Sequence, residues 1–158
     1  MALTYAASHP EVQRVFSIAG TDHGEFAREY RSNQAMASQI DSIFEQLKRP
    51  NGPINFEGKD ALRRLADDPS RFDLRLAAPQ LASRDILLVG GWDDSNVDVE
   101  NHLLPLYRAL KRADVVKIKF IAFQTDHSFR NVRDELTTEL VHWIRSTESQ
   151  SRQAKEGR

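Results

Sequence analysis

The sequence contains no cysteine in its 158 residues. That absence excludes disulfide bonds, thiolate nucleophiles and cysteine-ligated zinc. Long apolar runs are also missing, because the most apolar stretch, residues 86–89, is far shorter than the roughly 20 residues of a membrane-spanning helix. The first ten residues, MALTYAASHP, have no basic segment ahead of their apolar residues and make a poor secretory signal. We therefore expect no membrane partner and leave the compartment open, with the cytoplasm slightly favoured.

An excess of charge of one sign is absent as well. The chain has 22 Lys and Arg against 23 Asp and Glu, a formal net charge of -1. A nucleic-acid-binding protein would show a basic excess or stripe, so no nucleic-acid partner is expected. Intrinsic disorder usually combines low hydrophobicity with high net charge, and here the hydrophobic fraction is 40%. The length and composition predict about one globular domain.

Apolar spacing predicts an alternation of strands and helices. This pattern is typical of the α/β class, here with about three parallel strands flanked by helices. We expect one domain over residues 1–146, a helical insertion over 24–81 between the first two strands, and a flexible tail over 147–158. The predicted strands are 15–19, 86–89 and 117–123, and the predicted helices are 1–8, 36–47, 59–66, 103–113 and 132–144.

The insertion contains one clear amphipathic helix. Its apolar side chains recur at helical spacing from Met36 to Leu47, and the turn-forming residues PNGP at 50–53 end it. Two roles stay open for this helix. It is either a lid over a substrate cleft or an ordinary connecting helix packed on the sheet.

Acidic residues and histidines follow the strands at their carboxyl ends, where parallel sheets hold their functional sites. The three loops read GTDHG at 20–24, GGWDDSNV at 90–97 and QTDHSF at 124–129. A carboxylate after one strand and an imidazole after the next are two of the three groups of a hydrolytic triad. Binding of a metal ion by the two Asp-His pairs, at 22–23 and 126–127, is less favoured because no helix supplies a His-x-x-x-His pair. We predict no metal and no cofactor.

Two segments carry a family resemblance: ILLVGGWDDSNVDVENHLLPLYRALKRA and VKIKFIAFQTDHSFRNVRDELTTELVHWI. Together they resemble the C-terminal half of an α/β-hydrolase of the prolyl oligopeptidase and dienelactone hydrolase type. The resemblance implies a partial α/β-hydrolase fold in which Asp94 is the triad acid and His127 the base. Asp98 stands where the family usually has Pro, and Ser128 where it often has Gly. Neither departure removes a reacting group.

The first residues, MALTYAASHPEVQRVFSIAG, resemble the helix and strand that follow the nucleophile elbow in this family. No Gly-x-Ser-x-Gly occurs in the sequence. The resemblance therefore implies that the nucleophilic serine, with one oxyanion-hole N–H, lies before Met1. We expect a serine-type peptidase or esterase that is inactive as this chain alone.

The remaining loop residues are candidates for a pocket that takes a small ester or peptide substrate: Asp22, His23, Trp92 and Phe129. A function of another class stays open, a non-catalytic association module. In the family's strand order, the strand from Val15 to Ala19 would lack a neighbour on its outer side. Such an open edge favours pairing with another chain, so a homodimer through this strand is the partner predicted for that case.

Overall fold

In the computed structural model, which describes residues 2–47, 59–115 and 117–156, three strands form one parallel sheet. They are β1 (Arg14–Ile18), β2 (Asp85–Gly91) and β3 (Lys117–Phe123), in the order β1-β2-β3. Helices accompany this open sheet, so the predicted α/β class with three parallel strands is confirmed. The turn predicted at residues 50–53 lies outside the described residues, as do the last two residues of the chain.

The central strand β2 is buried along almost its whole length, as its continuous apolar run predicts. The edge strand β1 pairs with it from Arg14 to Ile18 and ends one residue earlier than expected. Ala19 has a φ of 45°, in the left-handed region that an extended strand does not adopt. The chain therefore turns away from the sheet at Ala19 and enters the first of the three loops.

Six helices lie within the described ranges, together with short 3-10 turns and one π-helical turn. The last helix continues to Glu156, so the backbone is helical beyond position 147, where we expected a frayed end. The flexibility of the tail stays a prediction. The helices are α1 (Ala2–Ser8), α2 (His23–Ser32), α3 (Gln34–Leu47), α4 (Lys59–Asp67), α5 (Leu104–Arg112) and α6 (Arg133–Glu156), and the π-helical turn (Val99–Leu103) precedes α5.

The sheet has an apolar cluster on each face. One face packs against α1 and α5, with Ile86 and Leu88 of β2 fully buried at its centre. The opposite face packs against α6, where Leu87 and Val89 meet Trp143. Alternate residues of a strand point to opposite faces, which is why the four-residue run of β2 supplies both clusters. The strands are thus held between two helical layers, and the loops at their carboxyl ends have a rigid base.

The insertion forms a helical group in which α2, α3 and α4 contact one another. Helix α2 was not predicted, because most of its ten residues are polar or charged and only Phe26, Ala27 and Tyr30 offer an apolar side. Helix α3 buries no residue, and Ile43 and Leu47 on its apolar face are exposed. The role of α3 as a lid stays a prediction.

Candidate active site

The loop after β2 fixes the orientation of Asp94. Its carboxylate oxygen Oδ1 accepts hydrogen bonds from the backbone N–H groups of Asn96, at 2.9 Å, and Val97, at 3.0 Å. The side chain is fully buried. The backbone N–H of Asp94 donates to the carbonyl of Gly91 at 3.3 Å. The second oxygen, Oδ2, is thereby left for a partner outside the loop.

That partner is His127, in the loop after β3. Its Nδ1 lies 2.8 Å from Oδ2 of Asp94, across 33 residues of chain. An ionised carboxylate only accepts hydrogen bonds, so the ring carries its proton on Nδ1 and leaves Nε2 as an acceptor. The histidine side chain is 49% exposed. The structure therefore brings together the two residues that the resemblance named, Asp94 buried and held by the backbone, and His127 half-exposed.

Backbone hydrogen bonds join these two loops beyond the ends of their strands. The N–H of Trp92 donates to the carbonyl of Phe123 at 2.8 Å, and the N–H of Asp93 donates to the carbonyl of Thr125 at 3.0 Å. Gly91 allows this approach, because a Cβ atom there would lie only 2.4 Å from the Thr125 carbonyl oxygen. The loop at 90–97, here called the acid loop after Asp94, and the loop at 124–129, here called the base loop after His127, therefore form one connected unit.

Phe129, at the end of the base loop, anchors that loop to the hydrophobic core. Its φ of 54° lies in the left-handed region, which is rare for a bulky residue. The side chain is only 3% exposed and belongs to the apolar cluster with Leu136 and Trp143. Of the four residues predicted to line a pocket, Phe129 thus lies in the core, whereas Trp92, on the acid loop, is largely exposed. The substrate contacts of both stay predictions.

Asp22 begins helix α2 and is buried, at 1% exposure. Its Oδ1 accepts from the backbone N–H groups of Gly24, at 3.1 Å, and Leu74, at 3.2 Å, while Oδ2 lies 3.4 Å from Nε of Arg75. Burial raises the pKa of this carboxyl above its usual value, although the hydrogen bond from Leu74 opposes the shift. The carboxylate thus holds the start of α2 against the segment that leads to β2. The spacing Asp22-x-x-Glu25 is a helix-start signal that could have revealed α2.

His23 follows Asp22 at the carboxyl end of β1. Burial lowers the pKa of its imidazole below the ordinary value of 6.5, and nearby His102 lowers it further while Asp22 opposes the change. Within the described part of the chain, no hydrogen bond or ion pair joins His23 or Asp22 to the Asp94–His127 pair. Asp22 and His23 therefore make contacts that are separate from those of the Asp94–His127 pair.

The second acidic residue of the metal alternative, Asp126, is engaged within its own loop. Its Oδ1 accepts from the backbone N–H of Ser128 at 2.9 Å and from that residue's hydroxyl at 2.5 Å. These hydrogen bonds lower the pKa of Asp126. Over the described ranges, no three His, Asp or Glu side chains are grouped so that they could hold a metal ion.

Two residues at the ends of the base loop, Thr125 within it and Asn131 just after it, were not identified from the sequence. Thr125 is buried, and its hydroxyl donates to Oδ1 of Asn131, whose Nδ2 donates to the carbonyl of Gln124 at 3.1 Å. Neither residue carries a charge, and their pairing depends on how the loop folds. No local signal in the sequence could have found them.

Comparison with known proteins adds no family assignment. No protein-family model matches the chain, and no curated protein matches it significantly. A search of the described helices for a membrane span finds none of sufficient length and apolarity.

Proposed function

We propose that this chain carries the acid and base of a serine-type α/β-hydrolase that transfers an acyl group from a small ester or peptide to water. The observation that supports the proposal is the 2.8 Å contact between Nδ1 of His127 and the buried Oδ2 of Asp94. The two residues lie at the carboxyl ends of neighbouring parallel strands, where catalytic groups of open α/β sheets are found.

In the proposed mechanism, His127 acts as the general base. With Nδ1 held by Asp94, Nε2 takes the proton of a serine hydroxyl as its oxygen attacks the substrate carbonyl. The same nitrogen then returns the proton to the leaving group. Asp94 stabilises the imidazolium that forms in between, and its two backbone hydrogen bonds keep it from turning away. The serine is proposed to come from protein ahead of Met1.

The decisive test has two parts. The reading frame upstream of Met1 is expected to encode Gly-x-Ser-x-Gly, and the gene product that includes it is expected to hydrolyse a p-nitrophenyl ester. His127→Ala should abolish that turnover. His142→Ala is the matched control, since His142 lies exposed on α6, and it should retain activity. A stop codon or an unrelated domain in that frame would refute the serine assignment.

The chain by itself should give negligible turnover, because loss of the nucleophile of a triad costs about a millionfold in kcat. The same ester assay checks this. Turnover by the chain alone that survives His127→Ala but disappears with a chelator would contradict the triad and favour a metal site.

A second candidate function is association through β1. Gln13 and Ala19 hydrogen-bond to β2, and in a parallel ladder alternate residues face alternate neighbours. The backbone groups of Arg14, Phe16 and Ile18 therefore face the open edge. The side chain of Phe16 stands on the face covered by α6, edge-on to the ring of Trp143, and is 45% exposed. This edge favours a homodimer formed by strand pairing.

Light scattering tests the association. A lysine on an edge strand opposes pairing, so Phe16→Lys is expected to convert a dimer into a monomer. Ile43→Lys, at a similarly exposed apolar position on α3, should leave the dimer unchanged. A chain that is already monomeric and unfolds cooperatively would overturn this candidate function.

A further inference from the structure

An amide side chain joins the two ends of the base loop. Asn131 lies in the 3-10 turn that precedes α6, after the loop, whereas Gln124 and Thr125 lie at the loop's start. Oδ1 of Asn131 accepts from the Thr125 hydroxyl, and its Nδ2 donates to the Gln124 carbonyl at 3.1 Å. His127 lies between these two ends. The Asn131 amide therefore joins the beginning and end of the segment that carries the proposed base.

The orientation of this amide is determined by its partners. The Gln124 carbonyl only accepts, so it requires the NH₂ group of Asn131. That leaves Oδ1 toward the Thr125 hydroxyl, which must donate. Thr125 is only 2% exposed, so water cannot readily replace Asn131 at its hydroxyl. Both hydrogen bonds thus select one arrangement of the loop.

Thr125 also contacts the acid loop. Its carbonyl accepts from the N–H of Asp93 at 3.0 Å, immediately before Asp94 in the chain. A residue that binds Asn131 through its hydroxyl and Asp93 through its carbonyl connects the two loops that carry the acid and the base. Displacement of Thr125 would change the distance between them.

We propose that Thr125 and Asn131 are positioning residues that hold His127 at hydrogen-bonding distance from Asp94. This inference rests on the proposed function, since it gives the pair a role in proton transfer. The two residues act through the loop backbone and make no contact with the reacting atoms. Without them the loop samples arrangements in which the imidazole leaves the carboxylate.

Nitrogen-15 NMR of the histidine-labelled chain tests the proposal without requiring activity. The measured quantities are the tautomer of His127 and the rate at which its Nδ1–H exchanges with water. Thr125→Val removes the hydroxyl and keeps the side-chain shape, and Asn131→Asp replaces the NH₂ donor by oxygen. Each is expected to speed exchange about fivefold, because the loss of one hydrogen bond raises the population of the opened loop by about that factor. The fraction of the Nδ1–H tautomer should fall in parallel.

Matched substitutions elsewhere serve as controls. Thr137→Val changes an exposed threonine of α6, and Asn33→Asp changes an exposed asparagine that caps α3. Neither should alter the exchange of the His127 proton. A purely structural role would lower the urea midpoint of the Thr125 and Asn131 variants and leave exchange unchanged, which would overturn the inference.

Asp94→Asn separates the two hypotheses. If it abolishes the Nδ1–H tautomer while the Thr125 and Asn131 variants behave like the unmodified chain, the positioning role is wrong and the acid–base pair stands. If Asp94→Asn leaves the tautomer and the exchange rate unchanged, the proposed function itself fails. If all three variants alter exchange, both are supported.

Discussion

Asp94 offers a graded test of the site, because its two oxygens have different partners. In Asp94→Ala, the N–H groups of Asn96 and Val97 lose their acceptor. Val97 is buried, and an unsatisfied buried N–H costs about 1–3 kcal/mol. The lost hydrogen bond to half-exposed His127 adds about 1 kcal/mol. Asp94→Ala should therefore lower the free energy of unfolding by about 2–4 kcal/mol.

Asp94→Asn keeps an oxygen for the two backbone N–H groups and loses only the acceptor for His127. Its expected cost is about 1 kcal/mol. Asp93→Asn is the control, since Asp93 is exposed and its hydrogen bond to Gln124 is at the surface. Its effect should stay within about 0.5 kcal/mol.

Urea unfolding followed by circular dichroism at pH 7.5 measures all three Asp variants. With a slope of about 2 kcal/mol per molar urea, Asp94→Ala should shift the midpoint by about 1–2 M. Equal loss in Asp94→Asn and Asp94→Ala would refute the argument that the backbone hydrogen bonds anchor the carboxylate. A larger loss in Asp93→Asn would show that the neighbouring acid has been misassigned.

Three further predictions use the same unfolding assay. Gly91→Ala should cost about 1–3 kcal/mol, because its Cβ would meet the Thr125 carbonyl; an unchanged midpoint would contradict the close approach of the loops. Phe129→Gly should destabilise less than Phe129→Ala, by about 1 kcal/mol, since glycine adopts a φ of 54° freely; the reverse order would contradict the left-handed backbone. His23 has a lowered pKa, so the unfolded chain binds more protons and stability should fall as pH drops through 6.5; His23→Gln should weaken this dependence, and an identical pH profile would exclude His23 as its source.

Much of the sheet could be predicted from short-range pattern. The ILLV run of β2 is apolar at every position, which indicates burial on both faces, and two glycines mark its end. Strand β3 was predicted with its observed bounds. Helix α2 could not be found from apolar spacing, because it is held by the polar contacts of Asp22 with Leu74, a residue 52 positions away.

The residues of the candidate site also include some that could be placed from the sequence and some that could not. That the loops of Asp94 and His127 meet follows from which residues end β2 and β3, since parallel neighbours bring their carboxyl ends to one edge. The choice of these two residues within the loops is what the family resemblance implied. The burial of Phe129 could not be inferred from its place after the histidine. A left-handed backbone turns its side chain into the cluster with Leu136, a consequence of how α6 packs on the sheet.

The sequence by itself therefore determined the class of the fold, the approximate positions of the strands and the loops that meet at their ends, because these depend on hydrophobic alternation and on chain order, which are local properties of the sequence. The choice of Asp94 and His127 within those loops came from the family resemblance. Only the tertiary structure decided what each loop residue does: that Asp22 anchors a helix, that Phe129 supports the base loop, and that Asn131 closes it. Such roles depend on hydrogen bonds and packing between segments that are brought together only by folding.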